Sequence, residues 1–519
     1  MRKTALLFTP DCRLLRRPII PAAALFLIIA IAGPAHTGLL QETLFSKVAA
    51  NHSALSFARE ENSDFQYPTR FLGITDPVLT IPYTYEDLIR VRENGVLTDV
   101  LRRQDLGYRY SMPLSLPLRG SAAGIAYEKS DLSGKIPSLS FTGVNSEQEV
   151  YSGALATSLG RYSLGLSGQR GNSVSAGDIK IEKYPRSDDA LENAYFYDLL
   201  EKYFGKDMRL SDQGERHSYT VEGKAELNSG SAFGLRATRS RSLDKFSLRY
   251  FSQDKMSFQS VDSPLDVVSN AYDAYFQLKV KEWWDIKLLS GRETAKMRFD
   301  MIPRGADPAT EITHFGNISL DGRGAGCGIA TSFRIKDRTK VFGGVYYSKM
   351  KNNVRAYFST PVLGQLYFLP IVHRAKFDGD FSTPSRQWQL GMVRKFSRRF
   401  EASSVINYQI MDIPLRISGE TNLGAGLVNS SYYKKIVLRG VKFIYGYAGA
   451  GYQLSKNMKL DYRADLSVPI LPKNFKKTLG LSKAEETQPA PSPAAPQTEH
   501  VDKNTFGGIN HQITLQYVF

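Results

Sequence analysis

The chain has 519 residues, a formal net charge of +16 and 42% hydrophobic residues. Its mean hydropathy of −0.29 excludes a bundle of membrane helices, since each such helix needs about 20 mostly apolar residues. Glycine is abundant, with 42 residues, and Tyr and Phe number 28 each, which favours strands and turns. The basic residues are spread along the chain without an aromatic-interleaved patch, so the charge does not indicate nucleic-acid binding.

Residues 1–35 have the layout of a secretory signal peptide. Five basic residues precede an apolar stretch at 19–32, which is too short to span a bilayer of about 30 Å as a helix. Small residues at Gly33 and Ala35 predict cleavage after Ala35, with Ala32 as the alternative site. Cys12 leaves with this segment, so the mature chain keeps Cys327 alone and forms no intrachain disulfide.

Residues 36–105 lack the periodicity of strands. Within them, residues 85–103 place several apolar side chains partly on one helical face, and Gly95 weakens that pattern. We therefore expect a small non-barrel segment at 36–105 with a helix at 85–103. It forms either a periplasmic extension or a plug inside a barrel.

From residue 106 onward, apolar and polar residues alternate with a period of two, the period of a strand. Residues 458–468 are the clearest case, with apolar residues at even positions and charged or hydroxyl residues at odd ones. A soluble sandwich also alternates, but two acids and two bases at successive inward positions suit a wet lumen. Ten charged side chains are assigned to the lumen in this way: Glu222, Lys224, Asp273, Lys279, Arg334, Glu401, Lys459, Asp461, Arg463 and Asp465.

Short and long connections also alternate. Tight turns are predicted near residues 160, 230, 281, 337, 398 and 456, and long polar segments at 172–215, 242–269, 292–324, 351–384, 411–442 and 469–507. Short periplasmic turns with long extracellular loops are typical of outer-membrane barrels. We predict an all-β, antiparallel, up-and-down transmembrane barrel over 106–519, with about 14 strands and up to 16. Residues 188–204 are predicted as a loop helix, and the Pro/Ala-rich stretch in 469–507 as an extended extracellular tether.

The chain ends with alternating large residues, Ile513, Leu515, Tyr517 and Phe519. This pattern resembles the terminal-strand signature of bacterial outer-membrane proteins. The resemblance covers 106–519 at the level of the class, and it implies handling by periplasmic chaperones and recognition by the barrel-assembly machinery. The predicted strand count and non-barrel N-terminus are also similar to the long-chain fatty-acid transporter family, which has fourteen strands and an N-terminal hatch. That family's Asn-Pro-Ala element is absent after Ala35, so no binding residues are transferred.

Motifs for chemistry are missing from the sequence. The seven histidines lack metal-site spacing, and there is no nucleophile elbow, phosphate-binding loop or dinucleotide fingerprint. Residues 321–328 are glycine-rich, but they lack the Lys-Ser/Thr ending of a phosphate loop and are predicted to lead into a strand. Cys327 is predicted to pack on the apolar face of that strand. We expect no enzyme activity, cofactor or metal.

The sequence therefore predicts an outer-membrane channel or transporter for small solutes, surrounded by lipid and lipopolysaccharide. Its cargo is unidentified, and is polar or anionic, or hydrophobic if the fatty-acid-transporter resemblance holds. The alternative is a non-transporting surface, adhesion or structural protein. The ten inward charges line a pathway on the first view and form a static salt-bridge mesh on the second.

Overall fold

The computed structural model describes residue 65 and residues 67–93, 96–114, 120–136, 141–180, 207–228, 230–252, 257–303, 316–336, 338–362, 371–423, 428–470 and 509–519. These residues form sixteen strands and one 3₁₀ turn, Pro68–Gly73. No helix among them has the length and apolar character needed to cross a membrane. The strands are β1 Val78–Glu93, β2 Val96–Leu114, β3 Ser121–Ile136, β4 Phe141–Leu159, β5 Tyr162–Lys180, β6 Asp207–Asn228, β7 Ser231–Ser252, β8 Ser257–Lys281, β9 Trp284–Pro303, β10 Gly316–Ile335, β11 Thr339–Val362, β12 Ile371–Lys395, β13 Phe400–Leu423, β14 Val428–Gln453, β15 Met458–Ile470 and β16 Ile509–Val518.

The strands form one closed antiparallel barrel in sequence order. β16 returns to pair with β1, from Val78↔Val518 to Glu86↔Asn510. Closure gives every strand two partners, which a bilayer demands because no water is present there to satisfy a free strand edge. The predicted closed antiparallel barrel is confirmed, with the strand number at the upper limit of sixteen.

Consecutive strands meet in tight turns at one end of the barrel, which we call the turn end. The six predicted turns all lie there, and Gly160 and Gly230 occupy two of them with φ of +67° and +95°. Glycine adopts this left-handed conformation without the steric cost of a side chain. The opposite end, which we call the loop end, carries the other eight connections, the longest of which join β5 to β6 and β15 to β16.

The strands are longer than predicted. β6 to β14 have 20 to 26 residues each, whereas a crossing takes about 9–11 residues. They therefore extend well beyond a bilayer at the loop end. The segments 242–269, 351–384 and 411–442, predicted as loops, are mostly strand. The predicted signal peptide, loop helix and Pro/Ala tether lie outside the described residues.

The N-terminal boundary at residue 105 is wrong, and so is the predicted helix at 85–103. β1 and β2 occupy 78–114. Two register shifts, at Asp87/Ile89 and Val91/Arg92, displace the alternation by a residue each time, and Pro82 has no partner in the β1–β2 register. Bulges and proline thus hide the period of two, so β1 was assigned to the non-barrel segment.

Candidate functional site: the lumen

Residues 65 and 67–74, which we call the lumenal segment, lie inside the barrel. The 3₁₀ turn within it contacts β2 to β6. Tyr67 and Phe71 are each 1% exposed, which shows that the barrel encloses them. Part of the predicted N-terminal segment therefore does enter the lumen.

Small residues on the inner wall make room for the segment. A Cβ on Gly124 of β3 would lie 2.1 Å from Cε1 of Phe71, and one on Gly165 of β5 would lie 2.7 Å from the Thr69 nitrogen. Ala122 and Ala156 complete the buried cluster around Phe71. The wall is thus shaped to the segment, since a larger side chain at either glycine would displace it.

Glu222 of β6 fastens the segment by hydrogen bonds. Its Oε2 accepts the backbone N–H of Thr69 (2.9 Å), and its Oε1 accepts the hydroxyl of Tyr275 of β8 (2.7 Å). Glu222 is only 1% exposed. A second contact is made by the Ser167 hydroxyl, which donates to the carbonyl oxygen of Phe65 (2.5 Å). A buried carboxylate with two donors is a strong point of attachment.

Tyr67 is held between two guanidinium groups. The Cζ atoms of Arg70 and Arg236 lie 4.3 and 4.1 Å from the centre of its ring. Arg236 of β7 also pairs with Asp273 of β8, and its Nε donates to Oδ2 at 3.1 Å. Each cation–π contact contributes about 0.5–2 kcal/mol, more when it is shielded from water. Tyr67 therefore extends the attachment from β6 to β7 and β8.

The inner wall formed by β13 to β15 carries a row of charged side chains, which we call the charge ladder. Lys459 Nζ contacts Glu401 Oε1 at 2.7 Å and Asp461 Oδ1 at 3.0 Å. Arg463 pairs with Asp465 and lies 4.0 Å above the ring of Tyr447. In the described residues, the 3₁₀ turn of the lumenal segment makes no substantial contact with these strands.

The ten predicted lumen residues fall into three groups. Glu222 and Asp273 belong to the attachment of the lumenal segment, and Glu401, Lys459, Asp461, Arg463 and Asp465 form the ladder. Lys224, Lys279 and Arg334 lie near the turn end and join neither group. Lys224 pairs with Glu226 at 3.4 Å, while Lys279 and Arg334 are exposed.

Tyr67, Arg236 and Tyr275 were not among the predicted lumen residues. The alternation around Asp273 does place Tyr275 on the inward face, and Arg236 is the register partner of Asp273, so both were within reach of the sequence. Tyr67 carries no such signal, since it precedes the first strand.

The glycine-rich stretch 321–328 lies inside β10, so the prediction that it leads into a strand is wrong. Its even positions face the lumen. A Cβ on Gly326 would lie 2.3 Å from the hydroxyl oxygen of Tyr346, and one on Gly328 would lie 2.6 Å from the same ring. The glycines therefore leave space for Tyr346 against the inner wall. Cys327 is exposed on the outer face, where it was predicted.

Two buried acids face the lumen beyond the membrane-spanning part of their strands. Asp212 of β6 and Asp244 of β7 lie towards the loop end from the register pair Tyr219↔Arg239. Burial, with the nearby charge of Asp244 as the smaller cause, raises the pKa of Asp212 to about 8. Burial also raises the pKa of Asp244 to about 6, against hydrogen bonding from Ser242 and the charge of Arg216.

The outer face of the barrel is apolar. Leu390, Ile406 and Ile125 are 63%, 61% and 63% exposed. Aromatic side chains mark both limits of this band: Trp283 and Phe396 at the turn end, and a further set towards the loop end. That set comprises Tyr108, Tyr151, Tyr219, Tyr272, Tyr347 and Trp388. A closed barrel with polar interior, apolar exterior and two aromatic girdles is built for a bilayer. The chain is an outer-membrane β-barrel.

No protein-family model and no curated protein matches the chain. Among solved structures, it is similar to the toluene transporter TodX of Pseudomonas putida, with 9% identity and a TM-score of 0.35 over 88% of this chain and 94% of that one. A FadL homologue of Pseudomonas aeruginosa gives 11% identity and 0.35 over 87% and 92%. The ferric-catecholate import receptor Fiu of Escherichia coli gives 10% and 0.34 over 86% and 82%. Matches this distant assign neither a family nor a cargo to this barrel.

The terminal residues form the seam of the barrel. Ile513 is 44% exposed and Phe519 60% exposed. The Phe519 ring packs edge-on against Tyr110 of β2 and Tyr517 of β16, with centroids 6.1 and 4.8 Å apart. Its N–H donates to Pro77 O at 3.0 Å. Recognition of Ile513, Leu515, Tyr517 and Phe519 by the assembly machinery stays a prediction.

Proposed function

We propose that this barrel is a passage for small polar solutes across the outer membrane, narrowed by the lumenal segment. The proposal rests on the division of the inner wall between strands that hold the lumenal segment and strands that carry the charge ladder. The segment is fastened along β2 to β8, while β13 to β15 carry the charge ladder. A barrel of sixteen strands is wide enough to leave an aqueous channel.

In this proposal, solutes pass between the lumenal segment and the ladder. The ladder favours polar or charged cargo over hydrophobic cargo, because sites for apolar ligands are lined mostly by apolar side chains. The barrel acts by selection and carries out no chemical step. The loop end faces outward, since both chain termini then lie on the periplasmic side.

The test is conductance in planar lipid bilayers, with wild type compared to Tyr67→Ala. Removing the ring deletes both cation–π contacts, so the segment loosens and the single-channel conductance increases. Tyr219→Ala is the matched control, because that tyrosine is 60% exposed on the outer face and its loss leaves conductance unchanged. An absence of conductance in all three proteins would contradict the proposal and favour the surface or structural role.

A second measurement tests the orientation. A tag inserted between Ala490 and Ala495 is expected to be labelled on intact cells. Labelling only after lysis would place the loop end in the periplasm, whatever the conductance shows.

A further inference from the structure

The outer face of β8 to β11 contains a groove of about 580 Å³. Its floor is a row of small outward residues in register, Ala274, Ser290 and Cys327. Larger apolar side chains border it, Phe276, Leu288 and Ile329 among them. A recess in the apolar band offers a fixed position to an acyl chain, because it increases the apolar contact area beyond that of a flat wall.

Six exposed basic side chains lie beside this groove. We call them the basic patch: Arg292 and Lys296 on β9, Arg323 on β10, Lys349 and Lys351 on β11, and Arg386 on β12. Five of them lie towards the loop end, and Arg386 lies in the register row of the groove floor, next to Tyr347. Arg292 and Lys349 share one register row through Ala325, the next outward row beyond the groove floor.

The height of that row matches the edge of the membrane. Ten residues separate Ile335, at the turn end of β10, from Ala325. At about 3.3 Å per residue and a strand tilt of about 40°, they cover roughly 25 Å, the height of the apolar band of such barrels. Five of the six basic side chains thus lie at or beyond the level of the headgroups of the adjacent leaflet, and Arg386 lies one outward row below it.

The charge of the patch is largely uncompensated. Within the described part of the chain, no ion pair involves any of the six, whereas their neighbours Arg298 and Arg355 pair with Asp300 and Asp378. Asp321, opposite Lys296 in the β9–β10 register, reduces six positive charges to a net five.

Repulsion within the basic patch destabilises the strands that carry it when no anion is bound. Arg323 and Lys351 are direct partners across β10 and β11, and like charges in that position destabilise a strand pair. Elsewhere the outer face is neutralised by ion pairs, as with Lys129 of β3 and Glu147 of β4. A bound anion would remove the repulsion at the patch.

We propose that the groove and the basic patch together bind one lipid that carries at least two phosphates and several acyl chains, namely the lipid A part of lipopolysaccharide. The net charge of five exceeds what a single phosphate neutralises. Arg292 and Lys349 are two strands apart, about 10 Å, which suits separate phosphate groups. This inference goes beyond transport and depends only on the outward orientation of the loop end.

The test uses the barrel purified in a neutral detergent and titrated with bis-phosphorylated lipid A, with bound lipid counted by native mass spectrometry. The patch variant carries Arg323→Gln, Lys349→Gln and Lys351→Gln. The control variant removes the same charge from outward positions in other sectors, with Lys135→Gln, Arg239→Gln and Arg416→Gln. We expect the patch variant to bind about tenfold or more weakly than wild type and the control variant to match wild type.

Two further comparisons complete the test. Phosphatidylglycerol, with one phosphate, is expected to bind wild type more weakly than lipid A. Ser290→Trp fills the groove and is expected to weaken lipid A binding, whereas Leu166→Trp on the far wall leaves it unchanged. Equal lipid A affinity in the patch and control variants overturns the proposal, as does equal binding of phosphatidylglycerol.

If the patch variant fails to fold, as judged by heat-modifiable gel mobility, the salt dependence of lipid A binding by wild type still tests the proposal. Raising the salt from about 0.01 M to about 1 M shortens the Debye length from about 30 Å to about 3 Å. Lipid A binding by wild type is then expected to weaken severalfold, and binding indifferent to salt overturns the proposal. This assay in detergent needs neither conductance nor membrane orientation, so its failure is distinct from failure of the proposed function.

Discussion

Glu222 shows how one residue connects two parts of the molecule. Its carboxylate lies on β6, yet its hydrogen bonds join the lumenal segment to β8. Both partners are donors, and a carboxylate accepts on both oxygens. An amide has only one accepting oxygen, so in Glu222→Gln either the Thr69 N–H or the Tyr275 O–H loses its acceptor, although the Tyr275 oxygen can accept from the amide.

Glu222→Gln is therefore expected to loosen the lumenal segment without unfolding the barrel. Losing one buried hydrogen bond costs about 1–3 kcal/mol. Hydrogen exchange followed by mass spectrometry should show faster exchange in peptides covering residues 65–74 and unchanged exchange in β10 to β14. Glu226→Gln, close to a tight turn, is the control, and equal protection in both variants would contradict the attachment.

The buried Asp212 is expected to make the stability of the barrel depend on pH. Its pKa rises to about 8 in the folded barrel, from an ordinary value of 3.8, chiefly because burial disfavours the charged form. Well below pH 3.8 the group is neutral in both states. As the pH rises towards 8, only the unfolded chain gains from ionisation, so stability falls across this window. Asp212→Asn should abolish that loss, giving a barrel more stable than wild type at pH 9 and similar at pH 4, measured by urea unfolding in vesicles. Asp266→Asn, at an exposed ion pair with Arg241, should not reproduce the gain.

At the scale of elements, strands were predictable where the alternation is uninterrupted. β15 has no bulge, and Lys459, Asp461 and Arg463 lie together on one wall as the period requires. β1 contains Pro82 and two register shifts, and its alternation disappears. Likewise Glu222 and Asp273 were predictable as inward residues. Thr69, which binds Glu222, and Tyr67, which contacts Arg236, were not predictable, because tertiary contacts alone place the lumenal segment.

The outward face of β13 provides a test of depth in the membrane. Ile406 is 61% exposed and lies six residues from Phe400 at the turn end. Arginine at the middle of the bilayer costs about 2–4 kcal/mol, falling to about 0–1 near the interface. Ile406→Arg should therefore lower the free energy of unfolding in lipid vesicles far more than Ala402→Arg, four residues nearer the turn. Equal losses would mean that this wall does not face hydrocarbon at Ile406.

At the scale of the whole molecule, the barrel depends on the seam between β1 and β16. That pair is joined over nine register positions, from Val78↔Val518 to Glu86↔Asn510, fewer than most other pairs in the barrel. Its stability is therefore sensitive to the last residues of the chain.

Removing Phe519 is expected to reduce the yield of folded barrel, because the edge contacts with Tyr110 and Tyr517 and the bond to Pro77 are lost together. Heat-modifiable mobility of outer-membrane fractions measures the folded yield. Phe396→Ala, an aromatic of the same girdle away from the seam, serves for comparison. Equal yields of folded barrel after removal of Phe519 and in Phe396→Ala would contradict a special role of the seam.

The lumenal segment immediately precedes β1, and this position fixes an order of assembly. Thr69 and Glu222 are 153 residues apart, so the segment leaves the ribosome long before its binding site exists. It cannot be attached before β6 to β8 are in the sheet, because those strands carry Glu222, Arg236 and Tyr275. Capture of the segment is thus a late event in assembly, and contacts of such long sequence separation make it slow.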